Sequence, residues 1–236
     1  MEIQKIATIY TDLPEKFGLP RQSGLVKGLT GRIVMEPQFR REEYFREIDG
    51  WSHIWLIWGF SQSEGRWQPT VRPPRLGGNR RVGVFASRSP FRPNGLGLSA
   101  VRLLSVDRSC EDGPVLYVDG IDMISGTPIY DIKPYTPHSD CIPDADGGFS
   151  AFVADADARV EAPQELLERL PEGKRQALIG ILAQDPAPAY QDDSDRVYGF
   201  GFAGFEIKFR KSAAGGNKGD EDDERPVIVL TDVIKL

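Results

Sequence analysis

The sequence predicts a mainly β protein in which a β-barrel or β-sheet domain runs to about residue 155 and a small α+β domain follows. Three observations support this class. Apolar and polar residues alternate with a period of two through much of the first part. Leucine and isoleucine take helical spacing only in the second part. Two apolar, strand-like segments then close the chain.

The first domain contains several strand-like segments and one short helical segment. Residues 51–60 (WSHIWLIWGF) are apolar at nearly every position, which predicts a central strand buried on both faces. His53 lies inside this segment, where a core histidine is favoured over a role in a site. We expect the short helix at residues 41–48. The other strands are expected at residues 2–10, 31–35, 82–85, 98–106, 115–118 and 129–132.

The second domain is predicted to contain two helices and a two-stranded unit. Residues 162–171 and 171–185 each place a proline near a helix start and apolar residues at helical spacing. Residues 197–210 and 226–236 have the composition of strands. The glycine-rich, then acidic insert between these strands predicts a solvated loop, and its acidic end at 219–224 receives no role.

The composition excludes several classes of protein. No apolar run approaches the roughly 18 residues of a membrane span, and the N-terminus lacks the pattern of a signal peptide. Cys110 and Cys141 are too few and too distant for a disulfide scaffold. With His53 and His138 they do not reproduce the ligand spacing of a structural zinc site. We therefore expect a cytoplasmic protein that binds no metal.

Charge is distributed unevenly along the chain. The net charge of −6 argues against indiscriminate binding of nucleic acid. Between residues 67 and 102, however, there is no aspartate or glutamate. A basic patch on an acidic protein attracts polyanions to one face. The arginines of this segment are Arg72, Arg75, Arg80, Arg81, Arg88, Arg92 and Arg102.

Residues 83–99 (GVFASRSPFRPNGLGLS) are the most informative stretch. Val82, Val84 and Phe85 predict a buried strand that leads into a polar turn. Two prolines stiffen this turn, because each fixes φ and removes an N–H donor. Two arginines and an asparagine on a stiff loop suit capture of a planar or anionic ligand, and a solvated surface turn is the alternative. The three side chains are Arg88, Arg92 and Asn94.

Two neighbouring features extend this site. Trp67, Phe85 and Phe91 lie among the arginines and suit stacking on the bases of single-stranded RNA, although core packing is the alternative for Phe85. The long irregular segment at residues 61–81 predicts a mobile lid or an RNA-contacting loop.

A second candidate group lies on the last strand of the first domain. Asp131, Lys133 and Tyr135 fall on one side by the period-two rule. They form either a site or a satisfied ion pair at the end of a strand, and the spacing does not decide between the two. No dinucleotide fingerprint, P-loop, nucleophile elbow or zinc-protease motif is present. The residues alone therefore indicate a binding surface rather than a particular reaction.

Several long motifs resemble those of a known family, and this resemblance indicates a reaction. They are FGLPRQSGLV (17–26), WSHIWLIWGF (51–60), WQPTVRPPRLGGNRRVG (67–83), GVFASRSPFRPNGLGLS (83–99), SGTPIYDIKPY (125–135) and DPAPAY (185–190). In this order they resemble the TrmO (TsaA-like) family of tRNA adenine-N6 methyltransferases. The resemblance implies a single-sheet β-barrel at residues 1–155 that binds S-adenosylmethionine without a Rossmann fold, and a small α+β domain at residues 156–236. It also implies a homodimer that methylates N6 of N6-threonylcarbamoyladenosine at position 37, in the anticodon loop of threonine tRNA.

The resemblance also implies site residues. Arg88 is expected at the cofactor, whereas Arg92 and Asn94 are expected at the base. The family commonly has histidine where this chain has Ser61, and RPNPIG where this chain has RPNGLG, so the contact at Ser61 is weakened and the loop is slightly relaxed. The expected cofactor contacts are Ser23, Gly24, Leu25, Ser61, Gln62, Arg88, Leu98, Asp119, Gly120, Ile121 and Asp122.

The residues expected to contact the acceptor base are inferred from the requirements of methyl transfer. Methyl transfer to an exocyclic nitrogen needs mainly positioning, because the cofactor supplies the reactivity. Asp131, Tyr135 and Asn94 are expected to orient the base as the catalytic group. The residues expected to hold the rest of the substrate are Arg72, Arg75, Arg92 and Lys133. A non-catalytic RNA-binding module and a barrel enzyme that acts on a small nucleotide or metabolite are the alternative functions.

Overall fold

The computed structural model contains a closed β-barrel followed by an α+β unit. Most of the chain can be described, namely residues 2–63, 65–73, 80–149, 157–188, 194–212 and 225–236. The predicted domain boundary at residue 155, the predicted substrate residue Arg75 and the acidic insert at 219–224 lie outside these ranges. None of the helices in the described part of the chain has the length and apolar character to cross a membrane.

Six antiparallel strands close the barrel. They are β1 (Ala7–Thr11), β2 (Thr30–Met35), β3 (His53–Gly59), β6 (Leu96–Asp107), β7 (Val115–Asp119) and β8 (Thr127–Pro134). Strands β4 (Thr70–Val71) and β5 (Val82–Gly83) form a separate ribbon. The order of strands around the barrel is β1-β2-β7-β6-β3-β8, so that β1 pairs with both β2 and β8.

The barrel interior is filled by alternate residues of each strand, as the period-two pattern predicts. Ile9, Ile33 and Leu116 are fully buried on neighbouring strands, and burial of their side chains is the main stabilising contribution. On β3, Ile54, Leu56 and Trp58 point inward. Trp55 and Ile57 lie on the outer face and are partly exposed, so the prediction of a strand buried on both faces is wrong. A barrel buries only one face of each strand.

The second unit is a mixed sheet with helices packed against it. The elements after the barrel are α1 (Pro137–Asp140), β9 (Arg159–Glu161), α2 (Gln164–Leu167), α3 (Glu172–Ala183), β10 (Val197–Phe202), β11 (Phe205–Ser212) and β12 (Val227–Lys235). The predicted two-stranded unit is wrong, because the segment at 197–210 turns back to form both β10 and β11 and β9 adds a fourth strand at the edge. Strand β9 runs parallel to β12, and the other pairs in the sheet are antiparallel. The mainly β class, with a barrel and a small α+β part, is confirmed.

Three local predictions need correction. His53 begins β3 and is exposed, with Ser52 Oγ at 3.0 Å from its Nδ1, so it is not a core residue. The helix expected at residues 41–48 is a 3₁₀ turn at Glu42–Phe45. The strand expected at 82–85 ends at Gly83, and a 3₁₀ turn at Val84–Ala86 follows. This turn buries Val84 and leaves Phe85 82% exposed.

Residues 12–24, named here the rim segment, connect β1 to β2 and lie against the second unit. Phe17 packs among Tyr198, Phe200 and Phe209, with ring centroids 6.3–6.4 Å from its own. Gly18 has φ +85, and a Cβ there would lie 2.6 Å from the ring of Phe200, so only glycine fits. The second unit therefore fixes the path of the rim segment.

Polar contacts add to this aromatic packing. Lys174 Nζ lies 2.6 Å from Asp12 Oδ2, and Glu15 accepts the backbone N–H of Gly201 at 3.0 Å. Arg21 donates to the backbone carbonyl oxygens of Gln184 and Asp185, just after α3. The rim segment thus joins the barrel to the α+β unit along most of its length.

Candidate active site

A cleft of about 960 Å³ opens at one end of the barrel. It lies where β1, β3 and β7 end and where β2, β6 and β8 begin. One wall is the rim segment, and the opposite wall is residues 84–95, named here the arginine loop. The cleft continues along the outer face of β3 and β6, past Leu98, Ala100 and Trp55. A cavity of this size can hold a nucleoside-sized ligand together with part of a second molecule.

A buried carboxylate forms part of the cleft wall. Asp122 is 8% exposed and accepts a hydrogen bond from Ser99 Oγ at 2.6 Å. Ser99 in turn accepts the indole N–H of Trp58 at 2.9 Å. Gly97 makes room for that indole, because a Cβ at Gly97 would lie 2.2 Å from the Trp58 ring. Burial raises the pKa of Asp122, while hydrogen bonds from Ser99 and the Ser23 backbone and the nearby Arg88 charge act against the shift.

The two walls are connected across the cleft. Arg88 of the arginine loop donates to Gln22 Oε1 of the rim segment. Farther along the rim segment, the Gly24 N–H donates to the Gly120 carbonyl oxygen at 2.8 Å. This bond holds the rim segment against the turn that follows β7 and carries Asp122. The cleft is therefore enclosed by three chain segments that are far apart in sequence.

The structure brings together six of the predicted cofactor residues. Gly24, Gly120 and Ile121 lie behind the cleft, where they hold the turn in place, and Leu25 and Asp119 also do not line it. Asp119 Oδ1 is buried and has no hydrogen-bond partner among the described residues. The predicted cofactor residues that line the cleft are Ser23, Ser61, Gln62, Arg88, Leu98 and Asp122.

The predicted catalytic and substrate residues are more scattered. Tyr135 and Arg92 line the cleft, whereas Asn94, Arg72, Asp131 and Lys133 do not. Arg92 donates to the Ser87 carbonyl oxygen at 2.9 Å, and so it braces its own loop. Asp131 Oδ2 lies 3.7 Å from Lys133 Nζ on the exposed face of β8. Of the two interpretations left open for this pair, the structure shows the ion pair.

Tyr135 separates from its predicted neighbours because β8 has ended. It donates its backbone N–H to the His53 carbonyl oxygen, and its ring lies 5.5 Å from that of Trp55. Asp140 completes this group, since its Oδ2 accepts the indole N–H of Trp55 and the backbone N–H of Thr136, both at 2.8 Å. These two bonds lower the pKa of Asp140 below its ordinary value, and the bond from Thr136 has the larger effect.

Sequence reasoning missed Trp55 and Asp140 as cleft residues. Strict alternation along β3 would have placed Trp55 on the opposite face from Leu56 and hence outside the barrel. No local pattern marks Asp140, because its partner Trp55 lies 85 residues earlier in the chain.

Comparison with known proteins decides the family. A model of the tRNA-methyltransferase O N-terminal domain matches residues 8–141, and a model of the TrmO C-terminal domain matches residues 151–216. The chain belongs to the TrmO family. The two matched ranges cover the barrel and most of the α+β unit.

Individual TrmO relatives agree with this assignment. A protein named tRNA (adenine(37)-N6)-methyltransferase from Escherichia coli is 37% identical over 224 residues, which are 91% of this chain and 94% of the relative. A protein named putative S-adenosylmethionine-dependent methyltransferase RcsF from Pseudomonas aeruginosa is 40% identical, over 84% of this chain and 87% of the relative. A crystal structure of TrmO from the same species has a TM-score of 0.74 at 29% identity, covering 100% of this chain and 97% of the other.

The cleft residues fit the cofactor that the TrmO resemblance implies. A sulfonium cation is attracted by a carboxylate, and Asp122 provides one. Trp58 and Leu98 offer apolar surface for a nucleoside ring, and the Gln62 amide and Ser23 hydroxyl offer polar partners. The donor set therefore combines the charge, apolar surface and hydrogen-bonding groups that such a molecule requires.

Proposed function

We propose that this protein transfers a methyl group from S-adenosylmethionine to N6 of N6-threonylcarbamoyladenosine at position 37 of threonine tRNA. The observation that carries the proposal is one cleft in which a buried carboxylate, Asp122, faces an arginine-bearing loop. Membership of the TrmO family supports the tRNA adenine-N6 methyltransferase class. The cytoplasm, where tRNA is found, is the proposed location.

The cofactor is proposed to lie at the end of the cleft near Asp122. When bound, S-adenosylmethionine supplies an electrophilic methyl group on a positively charged sulfur. Asp122 balances that charge, and Arg88 and Gln62 provide donors for the carboxylate or nucleoside groups. The residues proposed to contact the cofactor are Ser23, Ser61, Gln62, Arg88, Leu98 and Asp122, while Gly24, Leu25, Asp119, Gly120 and Ile121 shape the supporting turns.

The tRNA is proposed to approach over the arginine loop and the adjacent ribbon. Phe85 and Trp67 are 82% and 58% exposed, and Phe91 is 40% exposed. Large aromatic side chains left in solvent beside arginines are suited to stacking on unpaired bases of an anticodon loop. Arg72, Arg80 and Arg81 are also exposed and can neutralise phosphates. Because Asp131 and Asn94 do not line the cleft, Tyr135 alone is retained from the catalytic group predicted from the sequence.

The proposal is tested with purified protein and tRNA from a strain that lacks the gene. We expect mass spectrometry of the digested nucleosides to show one added methyl group on N6-threonylcarbamoyladenosine after incubation with S-adenosylmethionine. Unmethylated tRNA in this assay would refute the proposal. RNA binding without calorimetric binding of S-adenosylmethionine would favour an RNA-binding module, and methylation of a free nucleotide would favour the small-substrate enzyme.

A homodimer and a division at residue 155 are part of the same proposal. Light scattering coupled to gel filtration is expected to give twice the 26.2 kDa chain mass. A monomer that retains full activity would remove the dimer from the proposal.

A further inference from the structure

The cleft has a second end, which the cofactor residues do not occupy. Trp55 on β3, Tyr135 after β8 and Asp140 on α1 line this end together. The two rings lie 5.5 Å apart and are tilted by 46°, so they form an angled aromatic surface. The indole N–H donates to Asp140 Oδ2 at 2.8 Å, which fixes the orientation of both side chains. Three elements therefore hold one aromatic and acidic group at a set position in the cleft.

The hydrogen bonds of Asp140 leave one oxygen available. Oδ2 accepts from Trp55 and from the Thr136 backbone, both at 2.8 Å. Oδ1 has only a 3.5 Å contact from Ser139 Oγ among the described residues. A carboxylate oxygen accepts more than one hydrogen bond, so Oδ1 can take a donor from a ligand in the cleft. The bonds to Oδ2 favour the ionised form at neutral pH.

A purely structural role explains these features less completely. Burial would account for an aromatic side chain inside the barrel, but Trp55 lies on the outer face and stays partly exposed. The Asp140 bond to Thr136 closes a local turn, yet the bond to Trp55 joins residues 85 positions apart in sequence. The pair presents a flat apolar face and an acceptor to the same space, which are the two features that hold an unstacked base.

We infer that Trp55 and Tyr135 form the platform on which the acceptor adenine stacks, and that Asp140 Oδ1 accepts the hydrogen on its N6. This inference rests on the proposed function and replaces Asp131 as the carboxylate at the base. The N6 lone pair forms the new N–C bond while sulfur keeps the electron pair of the breaking C–S bond. The N6 proton passes to Asp140 and, because that residue is exposed, then to solvent.

The first test is Asp140→Asn in the full-length protein, with Asp144→Asn as an exposed control a few residues away. We expect kcat for tRNA methylation to fall about 100-fold in Asp140→Asn. Calorimetry should show an unchanged Kd for S-adenosylmethionine in both variants, because the cofactor lies at the other end. Turnover by Asp140→Asn within threefold of wild type would overturn the inference, as would loss of turnover in Asp131→Asn with Asp140→Asn active.

The second test separates the platform from the carboxylate. Trp55→Phe keeps an aromatic ring but removes the indole N–H that orients Asp140, so kcat should fall with little change in KM for tRNA. Trp55→Ala removes the stacking surface, and KM should rise about tenfold. If the melting temperature shows that Asp140→Asn is unfolded, the contrast between Trp55→Phe and Trp55→Ala tests the inference instead. The inference would be overturned if the two variants changed kcat and KM for tRNA in the same way, or if both weakened binding of the cofactor.

Assays of the wild-type protein separate failure of the proposed function from failure of the inference about Trp55, Tyr135 and Asp140. Wild-type protein that never methylates tRNA refutes the proposed function, and the inference fails with it. Wild-type protein that methylates tRNA while every variant at this end does the same refutes the inference alone.

Discussion

The two walls of the cleft are stabilised in different ways. The rim segment is held from outside, through Phe17 in an aromatic cluster of the second sheet and through Arg21 at the end of α3. The arginine loop is held by bonds within itself and by backbone hydrogen bonds to residues 60, 68 and 69. Ser87 Oγ donates to the Val84 carbonyl oxygen at 2.9 Å, and Arg92 donates to the Ser87 carbonyl oxygen at the same distance.

This difference indicates separate tasks for the two walls. Contacts with a packed sheet make the rim segment rigid, as suits a wall that encloses a small cofactor. The arginine loop stays exposed and carries Phe85, as suits a surface that meets a large partner. The α+β unit therefore contributes to the cleft without lining much of it, by fixing residues 12–24. Substitutions that affect one wall and spare the other test this interpretation.

The largest effect is expected from Phe17→Ala. The change removes a ring that contacts three aromatic residues, and we expect a loss of about 2–4 kcal/mol in the free energy of unfolding. S-adenosylmethionine should also bind less tightly, because Ser23 is displaced. Denaturant titration and calorimetry measure the two quantities.

Phe85→Ala is the matched control for that variant, because it deletes the same ring from the opposite wall. Phe85 is 82% exposed, so its loss should change stability by less than about 0.5 kcal/mol. Affinity for an anticodon stem-loop should fall instead, by about tenfold. Equal losses of stability in the two variants would show that the walls are not held differently.

The next effect is expected from Gly18→Ala. At φ +85 an alanine is strained, and its Cβ would lie 2.6 Å from Phe200, so a loss of about 1–3 kcal/mol follows. Gly95→Ala in the arginine loop is the control, since its nearest contact, Phe60 Cβ, lies at an ordinary 4.0 Å. Thermal unfolding should separate the two variants clearly. A Gly18→Ala protein as stable as Gly95→Ala would exclude rigid docking of the rim segment.

Sequence patterns predicted the strands well because alternation reports burial directly. They placed Ser23, Arg88 and Asp122 at one site through the family motifs, and the fold brings these three residues to one cleft. The prediction that Phe85 is buried in a strand was wrong. A single apolar residue after a strand looks the same in the sequence whether the strand continues or the chain turns outward. Only the 3₁₀ turn at Val84–Ala86 decides its direction.

Contacts between distant segments could not be predicted from the sequence. Phe17 lies near the start of the chain and its ring partners near the end, and no spacing rule connects them. Period-two reasoning held for Asp131 and Lys133, which do meet on one face. It failed for Tyr135, because β8 ends at Pro134 and the ring turns toward Trp55. Local rules apply only as far as the element that they describe.

Asp122 is expected to give a pH-dependent effect, because it interacts with both walls. Its pKa is raised above 3.8 by burial, so the folded protein binds its proton more readily than the unfolded chain does. Its contribution to stability is therefore complete below the unfolded pKa and is lost as pH rises through the folded one. The unfolding free energy of wild type, relative to Asp122→Asn, should thus fall as pH rises from about 4, the ordinary pKa of an aspartate, toward neutral.

Denaturant titrations of both proteins across that range measure this difference. A relative free energy that stays flat, or that rises with pH, would contradict the burial of an ionisable Asp122. S-adenosylmethionine should bind Asp122→Asn more weakly than wild type at neutral pH, because the carboxylate proposed to face the sulfonium is lost.

The smallest effect is expected from Arg92→Lys in the arginine loop. Guanidinium Nη1 donates to the Ser87 carbonyl oxygen at 2.9 Å and lies 3.5 Å from the Ser89 carbonyl oxygen, and lysine loses this reach because its nitrogen is one bond closer to the backbone. We expect a loss of about 0.5–1 kcal/mol, with faster amide hydrogen exchange confined to the arginine loop. Arg72→Lys, at an exposed arginine outside the cleft, is the control and should leave exchange unchanged. Faster exchange that extends to the rim segment in Arg92→Lys would show that the two walls move together, and the division between a docked wall and a self-supported wall would then be wrong.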